Sequence, residues 1–193
     1  PLLCNVLTEH GMTDLAYRLL LNEEYPGWLH EVKLGATTVW ERWNSLDENG
    51  RISSTGMNSL NHYSYGAVLE WIFRHVAGID VTEQGPGGKM MRISPKVDHK
   101  LGSASAVYDS ASGCYRCGWQ IENGDQITVT VTVPFGAKAQ VILPYAPDSV
   151  YHDTDNPLFE TVENGICCVK AGQYTVTYKA ASPLKKSYSV DST

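Results

Sequence analysis

The sequence has no apolar run approaching the ~20 residues of a membrane-spanning helix, and no basic cluster longer than the pair Lys185-Lys186. The formal net charge over 193 residues is -6. A phosphate backbone needs a clustered basic surface, so nucleic acid is excluded as a partner, and the missing apolar run excludes a membrane. There is no HExxH, no two-histidine spacing and no carboxylate cage, so neither a metal nor any other cofactor is implied. Cysteine is scarce and odd in number, five in all with Cys167 and Cys168 adjacent, which fits free thiols rather than a disulfide framework. Cys114 and Cys117 form a lone CxxC between strand-like segments. Residues three apart on a strand face opposite sides, so those sulfurs do not converge on a metal. The first seven residues lack the basic start of a signal peptide, and there is no initiator methionine. The pattern opens inside a helix, which leads us to expect a piece of a longer polypeptide whose N-terminal part is missing.

What is present changes period part-way along. Residues 2–9 read as a helix end closed by His10-Gly11. Thr13 is expected to cap a second helix, 14–23, with Leu15, Ala16, Leu19 and Leu20 on its apolar face. Pro26 is placed to open a third, 26–34, with Trp28, Leu29 and Val32 as its stripe. A polar loop with a turn signal at Asn49-Gly50 leads to a long helix over 64–77, in which Gly66 is expected to allow close packing, and Gly78 ends it. Gly85-Pro86-Gly87-Gly88 reads as a linker. Beyond it the alternation is in twos, with strands over 89–93, 104–108, 114–121, 126–133, 139–143, 166–169 and 173–178, and Asn123-Gly124 as a two-residue hairpin turn. The expectation is a helical unit, 1–84, followed by an antiparallel β-sandwich, 85–193.

Chemistry concentrates at Gly35-Ala36-Thr37-Thr38-Val39-Trp40-Glu41-Arg42-Trp43-Asn44. One carboxylate lies between two tryptophans and beside an arginine. Aromatic rings stack on the apolar faces of a pyranose, and an acid near the anomeric carbon moves a proton, so the pattern suits a sugar-processing cleft. The plain alternative is a surface helix end in which Glu41 pairs with Arg42 or water and the tryptophans fill a core. A second polar segment, Met57-Asn58-Ser59-Leu60-Asn61-His62-Tyr63, could close around it. Trp28 and Trp71 sit on helical stripes and read as core. Glu23-Glu24, Asp47-Glu48, Asp153 and Asp155 read as solvated charges.

These segments, with Asp14-Leu15-Ala16-Tyr17-Arg18-Leu19-Leu20, Glu24-Tyr25-Pro26-Gly27-Trp28 and Tyr65-Gly66-Ala67-Val68-Leu69-Glu70-Trp71, come in the order seen in bacterial α-L-rhamnosidases of glycoside hydrolase family 78, which the chain resembles. Two departures are Gly27, where serine is usual, and Asn44, where aspartate is common. The resemblance implies that the helices are the last of an (α/α)₆ barrel, with a C-terminal β-sandwich after them. It implies an inverting hydrolase that releases terminal α-L-rhamnose from a rhamnose-containing glycoside, in the cytoplasm or periplasm of a bacterium. It makes Glu41 the general base and leaves the general acid in an earlier part of the barrel, so that the 193 residues alone are expected to be inactive. Trp40 or Trp43 would wall the pocket beside the 6-methyl group. Arg42 would fix Glu41 or contact hydroxyls, and His62, Asn58 and Asn61 would contact sugar. A non-catalytic reading remains beside this one, in which the sandwich binds carbohydrate through Tyr108, Tyr115, Trp119, Tyr145 or Tyr151, or serves only as structure.

Overall fold

The structure is a computed structural model that describes residues 2–53, 56–83, 85–153, 155–159 and 161–184. It is mixed, with short helices first and sheet after, and its contacts divide it into two compact units, one running to Trp71 and one beginning at Ile72. No helix among the described residues is long and apolar enough to cross a membrane.

The first unit holds α1 (Leu3–Glu9), α2 (Thr13–Leu20), α3 (Trp28–Lys33), α4 (Tyr63–Gly66) and α5 (Val68–Trp71). Gly11, at φ +77°, turns the chain between α1 and α2. Met12, not Thr13, occupies the cap position of α2, and the helix buries Ala16 and Tyr17 while Leu15 is exposed. Tyr17 meets Trp71 edge-on at 5.3 Å, and the Trp71 indole donates to Thr8 Oγ1 at 2.8 Å, so Trp71 is core as its helical stripe suggested. In α3 the expected stripe is overturned: Val32 is exposed and Glu31 is the buried residue. Pro26, which follows a cis peptide bond, stands ahead of this helix, whose first residue is Trp28. The single long helix expected over 64–77 is broken at Ala67 and ends in a π-helical turn, Ile72–Val76. Gly66 is not tightly packed either, because a Cβ there would stand 3.9 Å from Val39.

The second unit is two sheets. One has the order β1 (Ile79–Val81), β2 (Met90–Ile93), β6 (Lys138–Val141), β8 (Ile166–Val169), β7 (Val162–Glu163). The other is β3 (Ser103–Ser110), β4 (Gly113–Glu122), β5 (Gln126–Val133), β9 (Gly172–Lys179). The second sheet is antiparallel throughout, whereas β2 and β6 in the first run parallel, which strand periodicity cannot reveal. Gly85–Gly88 is not a linker: Pro86–Gly88 is a 3₁₀ turn joining the paired strands β1 and β2, and sheet structure has begun before it. Along β5 the odd positions Ile127, Val129, Val131 and Val133 are buried, as alternation dictates. The pair Glu122↔Gln126 leaves Asn123, Gly124 and Asp125 as a three-residue turn rather than a two-residue one. The hydroxyl of fully buried Tyr115 in β4 donates to the carbonyls of Gly88 and Lys138, tying the two sheets together. Trp119 sends its indole N–H to Val76 O at 2.7 Å. All five cysteines are free; Cys168 is exposed, Cys114 half-buried, and Cys4, Cys117 and Cys167 buried.

Candidate active site

The 35–44 segment has neither helix nor strand of its own, so neighbouring chain must supply its shape. It runs antiparallel to 59–62. Glu41 N–H donates to Ser59 O at 2.9 Å, His62 N–H to Val39 O at 2.9 Å, and the Thr38 hydroxyl to Leu60 O. Arg42 donates from Nη2 to Met57 O at 2.7 Å, and its N–H goes to Ser45 Oγ at 3.1 Å. Asn58 Nδ2 donates to Ser45 O at 2.7 Å. The two polar segments singled out in the sequence are therefore brought together, with Arg42 and Asn58 as cross-links between them. Arg42 thus also holds the loop, a role beyond the two the sequence left open for it.

A cavity of about 530 Å³ opens on this segment, lined by Glu41, Arg42 and Trp43 with Trp28, Ser64, Tyr65, Leu3, Cys4 and Leu19. Trp43 stacks on Tyr65 at 4.9 Å and 19°, and Trp28 meets Trp43 edge-on at 5.0 Å. The cavity thus combines one carboxylate, one guanidinium and three aromatic rings, the composition of a sugar pocket. Trp40 is not part of it. It is 4% exposed and belongs to the core. Trp28, expected in the core, is on the cavity wall. His62 is half-buried but does not line the cavity. Its Nδ1 accepts Ser64 N–H at 3.2 Å and caps α4, while its ring stacks on exposed Tyr63 at 5.0 Å. Asn58 and Asn61 also stand off the lining, and Asn61 is exposed.

Three residues escaped the sequence reading. Trp28 and Tyr65 show themselves only through the rings they meet. Glu31, 3% exposed, accepts the Trp40 N–H on Oε2 at 3.4 Å, and burial pushes its carboxyl up to about 7 against the pull of that bond. Its Oε1 has no partner among the described residues. A lone Glu between Trp28, Leu29 and Val32 carries no periodic signal for burial.

The bacterial alpha-L-rhamnosidase 6 hairpin glycosidase domain matches residues 1–76, and the bacterial alpha-L-rhamnosidase C-terminal domain matches residues 78–156. The chain belongs to the bacterial alpha-L-rhamnosidase family. Every cavity residue lies within the 6 hairpin match. The chain is 40% identical over 176 residues to an alpha-L-rhamnosidase of Alteromonas sp. (strain LOR), covering 90% of this chain and 18% of that one. It is 39% identical over 164 residues to one from Formosa agariphila, covering 85% and 17%. A crystal structure of Streptomyces avermitilis alpha-L-rhamnosidase complexed with L-rhamnose superposes with a TM-score of 0.77 at 34% identity, over 92% of this chain and 17% of that one. The chain thus spans less than a fifth of the length of these alpha-L-rhamnosidases.

Proposed function

We propose that these residues form the base-bearing part of an inverting α-L-rhamnosidase, with the helical unit contributing to an (α/α)₆ barrel. The observation that carries the reading is Glu41 on the wall of an aromatic cavity, in a chain of this family. In the reaction, a water hydrogen-bonded to Glu41 attacks the anomeric carbon and gives its proton to the carboxylate. The glycosidic C–O bond breaks on the opposite face, and a second carboxylic acid protonates the departing oxygen. That acid must stand roughly 6.5–9.5 Å from the base to leave room for the water. Glu41 is the sole carboxylate among the described residues lining the cavity, which supports an acid supplied from outside the 193 residues. Trp43, stacked flat on Tyr65, is the wall suited to the 6-methyl group. His62, Asn58 and Asn61 stand off the cavity lining and take no sugar contact in this reading.

Two outcomes follow. The 193 residues alone turn over p-nitrophenyl α-L-rhamnoside no faster than buffer, since one missing carboxyl removes roughly 10²–10⁴-fold of assistance; robust turnover would overturn the division of acid and base. In the full-length polypeptide Glu41→Gln abolishes hydrolysis while L-rhamnose still binds, and activity surviving that change would remove Glu41 from the role. The carbohydrate-binding reading of the sandwich loses two of its five candidates, because Tyr115 and Trp119 are buried and spend their polar atoms on backbone carbonyls.

A further inference from the structure

A general base works only if its carboxylate is held at a fixed point relative to the attacked carbon. Around Glu41 that fixing cannot come from a helix or strand ladder, since 35–44 has none. It comes from the two peptide groups on either side of Trp40, Val39–Trp40 and Trp40–Glu41. The Glu41 N–H is taken by Ser59 O at 2.9 Å, and the Trp40 N–H by Glu31 Oε2 at 3.4 Å. Glu31 also accepts the Ala36 N–H on its backbone oxygen at 3.0 Å, so one residue anchors the turn out of α3 at two points.

The burial of Glu31 makes little sense as packing. It is 3% exposed, with Oε1 buried and unpartnered among the described residues, and an apolar side chain would fill the same space without desolvating a carboxyl. What an apolar side chain cannot do is accept a hydrogen bond from the N–H of Trp40, which the deeply buried Trp40 ring keeps inside the protein.

We propose that Glu31 is a positioning residue for Glu41: by accepting the Trp40 N–H it fixes the Val39–Trp40 peptide, one residue ahead of the base, and with Ser59 O on the next peptide sets the direction in which the base faces the cavity. The proposal rests on the reading of Glu41 as the base. It needs only an acceptor oxygen at residue 31, whichever protonation state that residue holds.

The test compares Glu31→Leu, Glu31→Gln and a Glu41→Gln control in the full-length polypeptide, with an aryl α-L-rhamnoside as substrate. A base displaced by a fraction of an ångström to an ångström loses up to about 10²-fold. Glu31→Leu is therefore expected to lower kcat by about 10–100-fold with KM nearly unchanged, a loss larger than its drop in melting temperature accounts for. Glu31→Gln keeps an acceptor in the same place and is expected to retain most of kcat. Amide exchange at Trp40 should quicken in the leucine variant and not in the glutamine one. Full kcat in Glu31→Leu, loss in Glu31→Gln equal to that in Glu31→Leu, or a kcat that falls only in step with melting temperature would each overturn the proposal. Because Glu31→Gln preserves shape, its result decides even if the leucine variant does not fold. Activity in the Glu41→Gln control would instead strike at the base assignment, and Trp40 exchange would still report whether Glu31 holds that peptide.

Discussion

Glu31 also carries a consequence for stability that is separate from its role at the site. Burial raises its carboxyl from an ordinary 4.5 to about 7 in the folded chain. A carboxyl raised on folding binds its proton more tightly in the native state, so its contribution favours the fold below the unfolded value and is lost as pH rises through the folded one. The window is therefore about pH 4.5 to 7, and the ceiling on the effect is about 3 kcal/mol, from 1.36 kcal/mol per unit. Urea unfolding of the helical unit at pH 5 and pH 8 should show the loss in wild type and a flatter profile in Glu31→Gln. Equal slopes in the two would remove Glu31 as the titrating group. At the same scale Arg42 shows why side-chain roles are hard to infer from neighbours in sequence. Its flanking carboxylate, Glu41, is the obvious partner, yet Nη2 reaches a carbonyl fifteen positions on, Met57 O. Proximity along the chain names Glu41, whereas the contact with Met57 O shows itself only in the fold.

Elements tell a similar story in both directions. Gly78 was legible as a helix terminator, and the structure adds why nothing else fits: φ is +83°, and a Cβ would stand 2.3 Å from the backbone nitrogen of Pro95. Gly78→Ala should cost about 1–2 kcal/mol for the left-handed conformation alone, and more for the clash. Thermal unfolding of the sheet unit would measure it, and an unchanged midpoint would mean that the turn relaxes freely. The strands β4, β5 and β9 were legible because a sheet with one buried face imposes a period of two on its sequence. β1 was not, because Ile79-Asp80-Val81 is too short to show a period. The run over 64–77 had helical spacing throughout, so the break at Ala67 and the change to π turns at Ile72 left no mark on the pattern. The Glu41 segment was legible by composition, with one acid among aromatics. The face it shows to the cavity was not, since periodicity is undefined in an irregular turn, and which of Trp40 and Trp43 lines the cavity stayed open until the fold put Trp43 there.

At the scale of the whole chain, the unit beginning at Ile72 owns its core and a single tryptophan, Trp119, whose indole N–H ends on Val76 O. A polypeptide of residues 72–193 should therefore unfold cooperatively, whereas one cut at 85, where the sequence alone suggested a boundary, would lose β1 and leave that buried N–H without its acceptor, at about 1–3 kcal/mol. Cooperative folding of the shorter piece would show that the strand and the acceptor are dispensable. The same 72–193 polypeptide should show no change in tryptophan emission on titration with L-rhamnose. The distribution of thiols has a use of its own. Only Cys168 is exposed, Cys117 is buried and pushed up to about 12, and Cys167, beside Cys168 in sequence, is buried on the other side of β8 and pushed up to about 11. A maleimide dye should consequently attach at one position first, and the remaining sulfurs should become countable as the layers above them open, so that the molecule keeps its own clock of unfolding.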